Sequence, residues 1–170
     1  MLIPDLLKAR PEDLDLELIE RKLWNLRRFQ GHPDALDVRP HSMLVQHLAI
    51  RDNAPDEVIE WCYHHDDHEG LTGDANGLLI QEVNKETSVW ETTCYYLDSI
   101  ICTALKIQIP KPSTRIEVHR YDKLAESLET TFGLGWPRLA AHPEWPEWLD
   151  FERAEGMFNW AKAQKAEHYL

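Results

Sequence analysis

The sequence predicts an all-α fold: a compact single domain over 1–170, built as a bundle of about six helices. Three observations carry that expectation. Apolar residues recur at helical spacing in successive segments. Glycine and proline punctuate those segments, at Gly31-His32-Pro33, Pro55, Gly70, Pro110 and Pro112. A length of 170 residues with 43% hydrophobic content suits one folded core, and no linker or internal repeat divides it.

Taken in order, residues 1–11 read as an irregular lead. Leu16, Ile19, Leu23 and Leu26 predict a helix over 13–29, with Glu17, Glu20, Arg21 and Lys22 between them. It ends in Arg27-Arg28-Phe29, before the Gly-His-Pro stop. A basic pair beside an aromatic could hold a phosphate and stack on a base. From spacing alone, the simpler reading is two arginines interacting with the helix dipole. Residues 34–40 read as a loop. A second helix over 41–52 puts His41, Leu44, Val45 and Leu48 on one face and turns His47 away. A third covers 55–69, with Pro55 at its first position and Asp56 and Glu57 in its first turn. A turn over 71–77 presents Thr72 and Asp74. The fourth helix, about 78–107, is very apolar from Trp90 to Leu105, and Asp98 within it reads as a buried, hydrogen-bonded acid. A fifth over 113–132 has Ser113 as its cap and Tyr121, Leu124 and Leu128 as its apolar face, which leaves Asp122 off-centre. A Trp/Pro-rich connection over 133–146 leads to a last helix over 147–168.

The stretch from Trp61 to Asp74 carries the chemistry. It packs three His and three acids into His64-His65-Asp66-Asp67-His68-Glu69, straight after an apolar run. At about 100° per residue, Val58, Ile59, Cys62, His65, Asp66 and Glu69 share a face. His64, Asp67 and His68 fall on the other, toward water. An inward His-Asp pair must be paired or metal-bound to offset its desolvation. Imidazole with hard carboxylates is also what a divalent cation takes. The plainer alternative is a helix ending in a solvated polar turn, with Gly70 as its stop. A lone His on an apolar face, such as His41, is usually a satisfied core histidine. A second inward His one helix later favours ligation.

The net charge of −12 disfavours nucleic acid as a partner. No apolar run is long enough to span a bilayer, so no membrane partner is expected. Met1-Leu2-Ile3-Pro4-Asp5 lacks the basic-then-apolar pattern of a secretory leader. Cys62, Cys94 and Cys102 read as reduced core thiols of a cytoplasmic protein, and without a CxxC pair no structural zinc is expected. The Trp-rich tail is compatible with a homo-oligomer interface.

His41, then His65-Asp66, then Asp122 resembles the H…HD…D signature of the HD-domain metal-dependent phosphohydrolases. Arg28-Phe29-x-Gly31-His32, Val38-Arg39-Pro40-His41-Ser42 and His65-Asp66-x-x-Glu69-x-x-Thr72-Gly73-Asp74 look like its small nucleotidase branch. That branch holds bacterial 5′-deoxynucleotidases and phage dATP triphosphohydrolases. The matching blocks cover about residues 24 to 130, so the motif-bearing core is placed at 13–132 and the tail at 133–170. The resemblance implies an HD-type bundle with one divalent metal (Co, Mn, Mg, Zn or Fe) on His41, His65, Asp66 and Asp122. It implies Glu69 as general acid or base, and Arg28, or Arg27 one register back, on the scissile phosphate. Asp74 would bond the 3′-hydroxyl, and Phe29 would line the sugar and base pocket. The implied activity is removal of 5′-phosphate from a small-molecule deoxynucleotide, with dATP as leading candidate. The alternatives are a general 5′-deoxynucleotidase on monophosphates and a non-catalytic nucleotide-binding protein on the same fold. Relatives often carry a proline two residues after Gly-Asp; here Ala75-Asn76-Gly77 stands instead.

Overall fold

A computed structural model describes residues 8–74, 88–135 and 145–168. Among them no strand forms, and the chain is an all-α bundle. Among the described residues, six helices have eight or more residues: α1 (Leu16–Leu23), α3 (Val38–Arg51), α4 (Asp56–His64), α6 (Val89–Leu105), α7 (Pro112–Leu128) and α8 (Phe151–His168). Two single turns complete the set, α2 (Arg28–Gly31) and α5 (Glu69–Thr72).

α3 sits at the centre, packed on α4, α7 and α8. Leu44, Val45 and Leu48 are fully buried there, against Val58 and Cys62 of α4, Tyr121 and Leu128 of α7, and Phe158 of α8. Each such Leu stabilises the bundle by about 1.5–3 kcal/mol over an exposed one. The expected apolar faces of α3 and α7 are therefore the observed ones, and His47 turns outward to lie 4.7 Å from the Trp160 ring. Asp98 is buried in α6, as expected. The cysteines are free thiols, with Cys62 and Cys102 buried.

Several boundaries differ from expectation, each for a physical reason. α1 begins at its Asp15 cap and stops at Leu23, where the Asn25 side chain donates to the Arg21 carbonyl. The chain then forms an isolated antiparallel bridge, Arg27 to Asp37, so Arg28 opens the single turn α2 and does not stand at the end of α1. α3 starts at Val38, three residues before the expected point. Pro40 is tolerated in its first turn, where a helix has no use for the amide hydrogen. α4 ends at His64, and 65–68 form a turn before α5. Gly70 is not a stop but a contact inside α5: a Cβ there would lie 2.8 Å from Ile19 Cγ2. α7 starts with Pro112 after Lys111, with no side-chain cap, so Ser113 does not cap it. It passes into a π segment, Glu129–Gly133. The expected helix start near 78 and the Ala75-Asn76-Gly77 turn lie outside the described residues.

Candidate metal centre

Three elements bring the ionisable side chains together. α3 supplies His41, the turn after α4 supplies His65 and Asp66, and α7 supplies Asp122. One donor atom from each of His41, His65 and Asp66 lies within 4.8 Å of the others, so the group could hold a metal ion. Asp122 joins them. His41 Nε2 is 3.0 Å from Asp122 Oδ1 and 4.0 Å from Asp66 Oδ2. His65 Nε2 is 3.2 Å from Asp66 Oδ2 and 3.8 Å from Asp122 Oδ1. A cation with ligands at about 2.0–2.2 Å sets neighbouring donors roughly 3.0–3.6 Å apart. Two of the observed separations, 3.0 and 3.2 Å, fall in that range, and the other two, 3.8 and 4.0 Å, lie a little beyond it. Asp122 was off-centre on its helix face, yet it reaches the centre because the cluster lies at the rim of the core, not within it.

The far ring nitrogens fix the orientation of both imidazoles. His65 Nδ1 donates to the Cys62 carbonyl at 2.8 Å, so Nε2 faces the carboxylates. His41 Nδ1 lies 2.8 Å from Glu129 Oε2, a fully buried carboxylate. A carboxylate behind a ligating imidazole sets its tautomer and raises its basicity. Glu129 was missed in the sequence. Its signal was there: it stands two helical turns beyond Asp122, on the same face.

Arg28 is the arginine that faces the cluster. Its Nη1 is 3.2 Å from Asp66 Oδ2 and its Nε 3.2 Å from Glu129 Oε2. Arg27 instead braces its own loop, donating to the Pro33 and Ala35 carbonyls and pairing with Asp37. Of the two arginines, Arg28 is thus the one at the cluster and Arg27 is turned to its own loop. Phe29 and Gln30 both adopt left-handed backbone, φ 50° and 56°, followed by Gly31 at φ 83°. The Gln30 backbone N–H donates to Asp74 Oδ2 at 3.3 Å, which fastens this loop to the second residue after α5. Phe29 and Asp74 thus flank the Arg28 side of the cluster.

The electrostatics follow from burial. Desolvation and Arg28 press the His41 pKa down, but Glu129 and Asp122 outweigh them and it rises. Desolvation is likewise outweighed at His65, chiefly by the Asp66 charge, so its pKa also rises. Asp66 and Asp122 fall below the usual carboxylate range: the imidazoles overcome the cost of burial. Glu69 behaves oppositely. Burial, then the Asp66 charge, pushes its carboxyl up to about 8. Its Oε2 is buried with no hydrogen-bond partner among the described residues.

His64, Asp67 and His68 do not form the expected outward trio. Asp67 is only 4% exposed and lies 2.9 Å from the Nη2 of buried Arg39, with His64 Nδ1 2.7 Å away on the other side. Arg39 also bonds Glu20 and the Tyr63 carbonyl, which locks the turn to α1 and α3. His68 Nδ1 is 3.0 Å from Asp98 Oδ1. α4 ends at His64; His65 and Asp66 still face inward, but the wheel fails for Asp67 and His68.

A cleft of about 300 Å³ opens beside the cluster, with His65, Asp66 and Asp122 on one wall and Trp90, Tyr95 and Arg115 on another. No family model, curated protein or solved structure matches this chain. No helix among the described residues is long and apolar enough to cross a membrane.

Proposed function

We propose that this protein is a metal-dependent phosphohydrolase that removes the 5′-phosphate group from deoxynucleotides, with dATP as the leading substrate. The observation that carries the reading is the convergence of His41, His65, Asp66 and Asp122 from three elements, with Arg28 at their edge. The donor set fits a divalent cation, since two imidazole nitrogens and two carboxylates suit Mn, Co, Fe, Zn or Mg, and His65 Nε2 is a buried nitrogen with no hydrogen-bond partner among the described residues. When bound, such a cation supplies an activated water and neutralises phosphoryl charge.

The chain's own residues supply the rest. Arg28 offers a planar fork to the phosphoryl oxygens. Burial and the Asp66 charge push the Glu69 carboxyl up to about 8, which favours its protonated form. Glu69 can give its proton to the departing 5′ oxygen as the phosphorus–oxygen bond breaks and a water oxygen bonds to phosphorus. Asp74 accepts from the 3′-hydroxyl and Phe29 lines the sugar. Chromatographic assay of metal-stripped protein, resupplied with Mn, Co or Mg, against deoxynucleoside mono- and triphosphates tests this. Metal-dependent release of deoxynucleoside, lost in His65→Ala and Asp66→Ala, is the expected result. No turnover of any deoxynucleotide with any of these metals would remove the proposal.

A further inference from the structure

We infer that the cleft beside the cluster is a subsite for the distal phosphates of a nucleoside triphosphate, held by Arg115 with His119. The identity of the ligand rests on the hydrolase reading; the anion chemistry does not.

Arg115 is built into position before any ligand arrives. Its Nη1 donates to Asp98 Oδ2 at 2.6 Å, and Asp98 is itself held by His68 at 3.0 Å. Its guanidinium lies over the Trp61 ring at 5.1 Å and the Tyr95 ring at 4.6 Å. Yet its side chain stays 21% exposed and lines the cleft. Its Nη2 and Nε hydrogens meet no acceptor among the described residues. An arginine restrained in this way loses little side-chain freedom when it takes an anion. The guanidinium takes one face of each ring, while Tyr95 stays 46% exposed.

The direction of α7 gives the second argument. Arg115, His119 and Asp122 recur at i, i+4 and i+7, one above another on one helix face. Arg115 stands about 10 Å along the axis from Asp122 at 1.5 Å per residue, and His119 lies between them. His119 is 68% exposed, with Nδ1 3.8 Å from Asp122 Oδ2. A phosphate seated at the cluster continues along this face if further phosphates follow it. Arg28, Phe29 and Asp74 do not line this cleft, which leaves their surroundings for the nucleoside. The cleft therefore favours a triphosphate over a monophosphate, with the chain of phosphates kept on α7 while the deoxynucleoside leaves.

Calorimetry with inorganic tripolyphosphate and with deoxyadenosine, in the presence of Mn, tests this on the full chain, beside kinetics on dATP and dAMP. Tripolyphosphate should bind the parent protein. Arg115→Ala should weaken it about tenfold or more, and His119→Ala by a smaller factor, as expected for lost charge-assisted contacts. Arg115→Lys should retain part of the binding. The ratio of kcat/KM for dATP to that for dAMP should fall about tenfold in Arg115→Ala by the same conversion. Should Arg115→Ala fail to fold, Arg115→Lys and the surface variant His119→Ala decide the matter. Equal tripolyphosphate binding in all forms, or none to the parent, overturns the subsite. So does a larger loss for deoxyadenosine than for tripolyphosphate, which would mark a base pocket. Arg115-dependent tripolyphosphate binding without turnover of either nucleotide would keep the subsite and remove the hydrolase reading.

Discussion

Glu129 Oε2, 2.8 Å from His41 Nδ1, decides what His41 can offer on its other nitrogen. Both ring nitrogens face carboxylates, the arrangement of an imidazolium, and a cation would take the place of the Nε2 proton. Glu129→Gln keeps the shape but loses the charge behind the ring. It should weaken Mn binding about 10–100-fold, read by calorimetry, since partners behind a ligand carry that much. Unchanged affinity would mean the carboxylate is structural only. Asp67 is a different case. Removing it in Asp67→Ala takes one partner from Arg39, which is 1% exposed, and should cost about 3 kcal/mol in denaturant unfolding. His64→Ala, which removes only the outer imidazole, should cost less than half as much. His41 was legible because it follows the helical spacing of the apolar stripe on α3; His65 and Asp66, the first two residues of the turn after α4, still face where the wheel of α4 would put them. Asp67 and His68 were not, because a turn intervenes and resets the phase. Asp122 came only from the family likeness, since nothing in its own periodicity points inward.

At the scale of elements, the contact of α5 with α1 positions Glu69 and fastens the loop that carries Arg28. Gly70 permits it, because a Cβ would also stand 3.2 Å from the Ile19 carbonyl, a backbone atom that cannot swing aside. Gly70→Ala should therefore push α5 outward and destabilise by about 1–3 kcal/mol. Gly156 in α8 meets nothing within 4 Å, so Gly156→Ala should stabilise by about 0.5–1 kcal/mol through helix propensity. Guanidinium unfolding of the two variants checks the contrast; a loss in both would show that space is not what separates them. The apolar faces of α3 and α7 were readable because burial imposes a helical period. The segment 24–37 was not. Its course depends on the Arg27–Asp37 bridge and on the Arg28 amide donating to the Leu36 carbonyl, which are pairings between residues far apart on any helical wheel.

For the whole molecule, the cluster is a point where three packed elements meet at one place. α3 and α7 already share the core through Leu44, Leu48, Tyr121 and Leu128, and the turn after α4 is held by Arg39. The unfolded chain has no such meeting point, so a cation that binds the folded form must stabilise it by mass action. At a concentration 100 times its dissociation constant the gain is about 2.7 kcal/mol. For a chain of this length that corresponds to a rise in Tm of roughly 5–10 °C. The net charge of −12 adds a general attraction for cations, so the control matters. His65→Ala alters the overall charge by one unit at most but removes one donor. Scanning calorimetry with and without Mn should show the rise in the parent and less than a third of it in His65→Ala. An equal rise in both would assign the effect to the acidic surface and take the ligand role away from His65.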